Sequence, residues 1–187
     1  IKRPPMKIIH LLLIVFLVSV LSSKAQAQGL KNGRPIDAAY AKTNGKFGAE
    51  VIFVKNKEQL FKDWNQPSTG VNIYQVGKIV RNKPISSFVI FSNAAPDQKA
   101  QANVTAKFIV INPLGVIIEE TKELEVWQNK PAPQPQQLQL SADFLQVVLG
   151  NKSPLGVYTV NVIVTDAVAD LRLELERKFE LVEKVKP

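Results

Sequence analysis

Polar and apolar residues alternate with a period of two through "VYTVNVIVTD" (157–166) and again through "LRLELERKFELV" (171–182). No helix can hold such a pattern with one dry face, because its side chains repeat every 3.6 residues. A strand can, since successive side chains point to opposite faces. The first run puts Tyr158, Val160, Val162 and Val164 on one face. The second puts Leu171, Leu173, Leu175, Phe179 and Leu181 on one face, with Arg172, Glu174, Glu176, Lys178 and Glu180 opposed. Leu and Glu favour helix, yet the period overrides that propensity and predicts a strand over 171–182.

The same reading finds further strands upstream. "AEVIFV" (49–54) is β-branched and aromatic. "GVNIYQVG" (70–77) alternates weakly. "ISSFVIFS" (85–92) is apolar enough to be buried on both faces. "ANVTAKFIVI" (102–111) puts Val104, Ala106, Phe108 and Val110 on one side. "NKEQLFKDWN" breaks the series: Leu60, Phe61 and Trp64 fall at helical spacing behind a capping Asn56, with Trp64 expected to anchor this turn to the core. A short helical piece is expected at 36–41, and "LQLSADFLQVVLG" is expected to start as a strand at Leu138–Leu140 and go on as a turn of helix or another strand.

Pro-Leu-Gly-Val occurs twice, in "NPLGV" (112–116) and "SPLGV" (153–157). Asn or Ser at the first position, Pro at the second and Gly at the fourth match a type I turn. Both copies are expected to be the same tight turn used twice. The first would let the strand ending at Ile111 pair with "VIIEE". Between the copies, Pro131, Pro133 and Pro135 in "QNKPAPQPQQ" favour extended chain and block a central strand, which suits a crossing between sheets. Many short strands, frequent turns and no long helix predict an all-β fold, a two-layer antiparallel sandwich of about 7–9 strands.

The start of the chain reads as an address. From Met6, the expected start, Lys7 precedes an apolar run over Ile8–Val20 and the small-x-small site Ala25-Gln26-Ala27. That is the layout of a secretory signal peptide, and the run is short for a spanning helix. The expected organisation is therefore a removed leader (1–27), a flexible lead-in (28–47) and one sandwich domain (48–187). The expected location is periplasmic or secreted, with the membrane touched only through an uncleaved leader.

Removal of the leader takes away His10, the single histidine, and leaves 160 residues without His or Cys. Imidazole acid–base catalysis, Ser-His-Asp and Cys nucleophiles, and His/Cys zinc or copper sites are then closed, as is a disulfide framework. No phosphate-cradling glycine motif is present. Carboxylates remain in "EETKELE" (Glu119, Glu120, Glu123, Glu125) and "LELERKFE" (Glu174, Glu176, Glu180). They read as solvated strand faces. A carboxylate-dependent glycan-active enzyme is the lesser alternative they leave open. No catalytic residue, cofactor site or metal site is assigned.

After the leader, 20 Lys/Arg stand against 16 Asp/Glu, a net of +4. Residues 28–112 carry +7 and residues 113–187 carry −3. Lys78, Arg81 and Lys83 are candidates for a basic rim facing an envelope protein or an acidic surface polymer. Trp127, at the edge of the proline-rich crossing, is a candidate aromatic platform, with a core role as its plainer reading. Nucleic acid is not an expected partner, because no basic-aromatic interleaving is present.

"SPLGVYTVNVIVTD" and "KFIVINPLGVI" resemble the turn-and-strand segments of bacterial immunoglobulin-like domains, where Pro-x-Gly-x-Tyr precedes alternating valines and an Asp. The resemblance covers residues 85–182. It implies an immunoglobulin-like sandwich used outside the cytoplasm for binding or spacing, and carries over no catalytic residue. The expected function is thus a non-catalytic exported binding or accessory module working through protein–protein contacts. A self-associating structural subunit is the alternative.

Overall fold

The computed structural model describes residues 30–31, 34–35, 38–66, 71 and 73–183; the leader read at 1–27 lies outside them. In chain order the strands are β1 (Leu30–Lys31), β2 (Arg34–Pro35), β3 (Ala41–Asn44), β4 (Phe47–Val54), β5 (Lys78–Val80), β6 (Pro84–Ser92), β7 (Gln101–Ile111), β8 (Ile117–Glu120), β9 (Leu124–Pro131), β10 (Gln139–Leu140), β11 (Leu145–Val148), β12 (Gly156–Asp166) and β13 (Leu171–Val182). Helix α1 (Lys57–Trp64) follows β4. Among the described residues β1 and β2 pair only with each other.

The remaining strands form a two-layer β-sandwich. The first sheet runs β3-β4-β6, with β10 and β11 laid end to end along the far side of β6. The second runs β5-β13-β12-β7, with β8 and β9 end to end along β7. Among the described residues every pairing is antiparallel except β13 with β5. The alternating runs at 157–166 and 171–182 are partners along their whole length, from Gly156↔Leu181 to Asp166↔Leu171. Their apolar faces therefore coincide, as a one-residue slip would not allow.

The main core lies between the sheets. Phe47, Val51, Phe53, Val89 and Phe91 from the first meet Val104, Phe108, Tyr158, Val162, Leu175 and Phe179 from the second. Tyr158 stacks on Phe179, centroids 5.3 Å apart, and Phe53 meets Phe179 edge-on at 5.6 Å. The Tyr158 hydroxyl donates to the carbonyl of Pro154 at 2.8 Å, so the buried phenol has a partner. A second cluster covers the outer face of the first sheet: Leu60 of α1 closes over Ile52, Val54, Phe88 and Ile90, with Phe61, Trp64 and Phe144 around it. Burial on both faces explains why 85–92 reads as a continuous apolar run. Asn56 caps α1 as expected, its Oδ1 accepting from Gln59 N at 2.9 Å.

Three local expectations change. Residues 38–41 form a bridge and turn into β3, not a helix, and the first sheet begins at Ala41, inside the span read as a lead-in. Among the described residues of 70–77 there is no strand; Val76 N donates to Phe53 O and Gly77 O accepts from Glu180 N, so the segment crosses between the sheet edges. After Gln139–Leu140 the chain makes a second strand, β11, on the same neighbour, which is one of the two continuations the sequence allows. Finally, the two Pro-Leu-Gly copies are different structures. "NPLG" is a closed turn, with Gly115 N donating to Asn112 O at 3.0 Å. At the second copy the closed turn lies three residues earlier, with Ser153 N donating to Gly150 O, and Gly156 already belongs to β12.

Candidate functional site

The end of the sandwich built by the two Pro-Leu-Gly segments carries the main exposed apolar surface. Asn112 shapes it. Its side-chain oxygen accepts from Leu114 N at 2.9 Å and Val116 N at 3.0 Å, which closes the β7–β8 hairpin while Gly115 takes φ +80°. Thr159 of β12 sits opposite Ile111 of β7, and Ile111 sits opposite Ile117 of β8. Val157, two residues before Thr159, therefore shares the outer face with Ile111 and Ile117. Pro113 lies against Gly156, which brings the segments bearing Leu114 and Leu155 side by side.

Six large aliphatic side chains are left in solvent there. Leu114, Val116, Ile117, Ile118, Leu155 and Val157 are 41–75% exposed. Single exposed aliphatics need no explanation, but a contiguous group does. β8 is also the outermost strand at its end of the second sheet, with all four residues exposed and no further partner among the described residues. Its free edge offers backbone N–H and C=O groups to another strand. Beyond the apolar residues, Glu120 pairs with Lys107 at 2.7 Å, while Glu119 and Glu123 are exposed and in no ion pair among the described residues.

The residues singled out in the sequence are scattered. Lys78 pairs with Glu180 at 2.8 Å. Arg81 is turned inward: it pairs with Glu183 at 3.0 Å, and its Nη1 donates to the carbonyls of Gly150, Asn151 and Ser153 at 3.0, 2.6 and 2.6 Å. It is a clamp on the turn before β12. Lys83 is exposed and in no ion pair among the described residues. Trp127 is half-buried. Its indole N–H donates to Pro131 O at 3.1 Å, its ring meets Phe91 edge-on at 5.9 Å, and Lys130 lies over it at 5.1 Å. It holds the start of the proline-rich crossing against the core.

The carboxylates of β13 are spread along a solvated face. Glu174 pairs with Arg172, Glu176 with Lys178 and Glu180 with Lys78. Among the described residues no three acidic side chains gather as a metal site would require. No described helix is long and apolar enough to cross a membrane.

One charged pair escaped the sequence reading. Arg177 stands at an inward position of β13, between Leu175 and Phe179. Its Nη1 donates to Val51 O at 2.5 Å and lies 3.8 Å from Glu50 Oε1, and the guanidinium covers the rings of Tyr40 and Phe53 at 4.9 and 5.5 Å. Burial pushes the Glu50 carboxyl above its ordinary range, opposed by Arg177 and by a hydrogen bond from Gln75. Burial likewise lowers Arg177, opposed by Glu50. The signal was visible: Arg177 is the one charged residue on the odd-numbered side of "LRLELERKFEL".

No protein family's sequence profile matches the chain, and no curated protein matches it. Among solved structures it is similar to a family 123 glycoside hydrolase from Clostridium perfringens, at 13% identity over 76% of this chain and 28% of the hydrolase, TM-score 0.41. It thus spans little more than a quarter of that protein. It is also similar to a Niemann-Pick type C2 protein from Japanese carpenter ant, at 11% identity over 71% of this chain and 89% of the other, TM-score 0.38. A FixG-related protein from Vibrio parahaemolyticus gives 14% identity over 74% and 98%, TM-score 0.36. No residue role is taken from any of the three.

Proposed function

We propose that the protein is a non-catalytic binding module of the cell envelope, exported by its leader, that engages another protein through the β8 end of the second sheet. The observation that carries this reading is the gathering of six exposed aliphatic side chains around an unpaired strand edge. The resemblance to exported immunoglobulin-like domains supports the same use. The partner presents an extended apolar segment that adds to β8, with a basic residue opposite Glu119 or Glu123. Backbone pairing supplies affinity in such an arrangement, and the side chains over Ile111, Ile117 and Val157 supply selectivity. Aligned carboxylates disfavour an acidic partner at this edge.

A photo-crosslinking residue placed at position 117 or 157 in living cells tests the proposal. One recurring protein partner is expected from both positions and none from position 174. The crosslink at 157 should disappear when Ile117 is changed to Asp and survive Lys83→Glu. Crosslinks only to a second copy would transfer the surface to self-assembly. No crosslink from either position would remove the proposal.

A further inference from the structure

The opposite end of the sandwich holds a cleft of about 550 Å³. Four connections surround it: the β3–β4 turn at 45–46, the β6–β7 loop, the proline-rich crossing after β9, and the β12–β13 loop. Phe47, Ala94, Ala132, Pro133, Pro135 and Leu171 are among the apolar residues that line it. Its size is that of small-molecule sites, roughly 300–1,000 Å³.

The walls are tied to one another by hydrogen bonds. The Asn93 amide nitrogen donates to Lys46 O at 2.9 Å, and its oxygen accepts from Gln136 N at 2.7 Å. Ala132 N donates to Ala100 O at 2.9 Å. Asp166 Oδ2 accepts from Ala95 N at 2.8 Å. Four of the six non-glycine residues with positive φ among the described residues lie on these loops: Asn93 (56°), Ala100 (58°), Gln136 (66°) and Asp170 (52°). Such backbone is strained for L residues and persists where surrounding bonds hold it.

The chemistry of the lining narrows the occupant. Asp166 is fully buried, and its carboxylate already accepts from Ala95, Val168 and Ala169 N–H groups, so it does not recruit a cation. Lys46 is exposed at the rim and in no ion pair among the described residues. Pro96, Pro133 and Pro135 remove N–H donors from the walls, which disfavours a peptide that needs backbone partners. We infer that this cleft binds a single-chain amphiphile, its apolar body against the alanine and proline walls and one acidic head group on Lys46. This site is separate from the β8 edge and does not depend on that reading.

Isothermal titration of the purified chain with dodecanoate, dodecyl phosphate and dodecanol, below their micelle ranges, tests it. One-to-one binding of at least one acid is expected, with dodecanol weaker; the order of the two acids identifies the head group. Lys46→Ala should weaken the acid about two- to five-fold, as expected for an exposed ion pair, and leave dodecanol unchanged. Ala169→Trp, which fills the mouth from an exposed position, should abolish binding while the circular dichroism melt stays in place. If neither acid binds one-to-one, if dodecanol binds as tightly as both, or if Ala169→Trp binds normally, the inference is overturned, and the β8 proposal is untouched.

Discussion

Gly156 lies on the pyrrolidine ring of Pro113: a Cβ at position 156 would stand 3.3 Å from both Pro113 Cβ and Cγ. The two Pro-Leu-Gly copies thus touch, the proline of one against the glycine of the other. The repeat is a contact between adjacent strands at one end of the second sheet, because β12 runs beside β7 with Thr159 opposite Ile111.

Gly156→Ala combines a left-handed backbone, φ +125°, with that close contact, and should cost about 2–3 kcal/mol. Gly115→Ala has positive φ but open space, and should cost about 1 kcal/mol. Gly77→Ala has neither, so reduced freedom of the unfolded chain makes it neutral to slightly stabilising, within about 1 kcal/mol. Urea denaturation of the three variants checks the order; equal losses at 115 and 156 would show that the Pro113 contact is immaterial.

Arg177→Met strands the Val51 carbonyl and leaves Glu50 without its cation. Both side chains keep some exposure, 20% and 16%, so a loss of about 2–3 kcal/mol at neutral pH is expected. The loss depends on pH in a definite direction. Glu50 is raised from its ordinary 4.5 in the folded protein, so it contributes stability below that value and loses it as pH rises through the folded value. Without Arg177 the rise is larger. The deficit of Arg177→Met should therefore shrink from about pH 7 to about pH 4, and Glu50→Gln in the same background should flatten the dependence. A deficit constant across that range would mean that Arg177 acts through packing alone.

Asp166→Ala removes the acceptor for three backbone N–H groups in a fully buried position. A loss of about 2–4 kcal/mol is expected, with Asp166→Asn intermediate because one oxygen remains. Amide hydrogen exchange should accelerate at Ala95, Val168 and Ala169 in the alanine variant, ahead of the strands. Unchanged exchange at these amides would assign the role of Asp166 elsewhere.

The strands were legible where a local pattern carries them. Period two marks β7, β12 and β13, and an unbroken apolar run marks β6, since one residue's neighbours in sequence report on its two faces. The cap at Asn56 and the turn at Asn112 were legible for the same reason, being decided within four residues. The segment 73–77 misled because Val71 and Ile73 look strand-like, while the Ile73 carbonyl is bonded within the segment by Gln75 N and only Val76 N and Gly77 O reach strands, at Phe53 and Glu180. "SPLG" misled because the Arg81 side chain, 69 or more residues away, holds the preceding turn in place.

The candidate site was less legible. Leu114, Val116, Ile117, Leu155 and Val157 are unremarkable apolar residues near turns until the β7–β12 register brings them together. The basic stretch at 78–83 suggested a rim, yet Lys78 and Arg81 meet Glu180 and Glu183 because β5 pairs in parallel with β13.

By itself the sequence determined an all-β chain, its strongest strands, its proline crossing and the side-chain types at hand, all of which follow from spacing and composition. Only the tertiary structure decided which strands are neighbours, which charges neutralise one another, that the partners of Arg177 are Glu50 and the Val51 carbonyl, and where apolar surface is left in water. Those are outcomes of register and strand order. They depend on contacts between residues far apart in the chain, and local alternation holds no record of them.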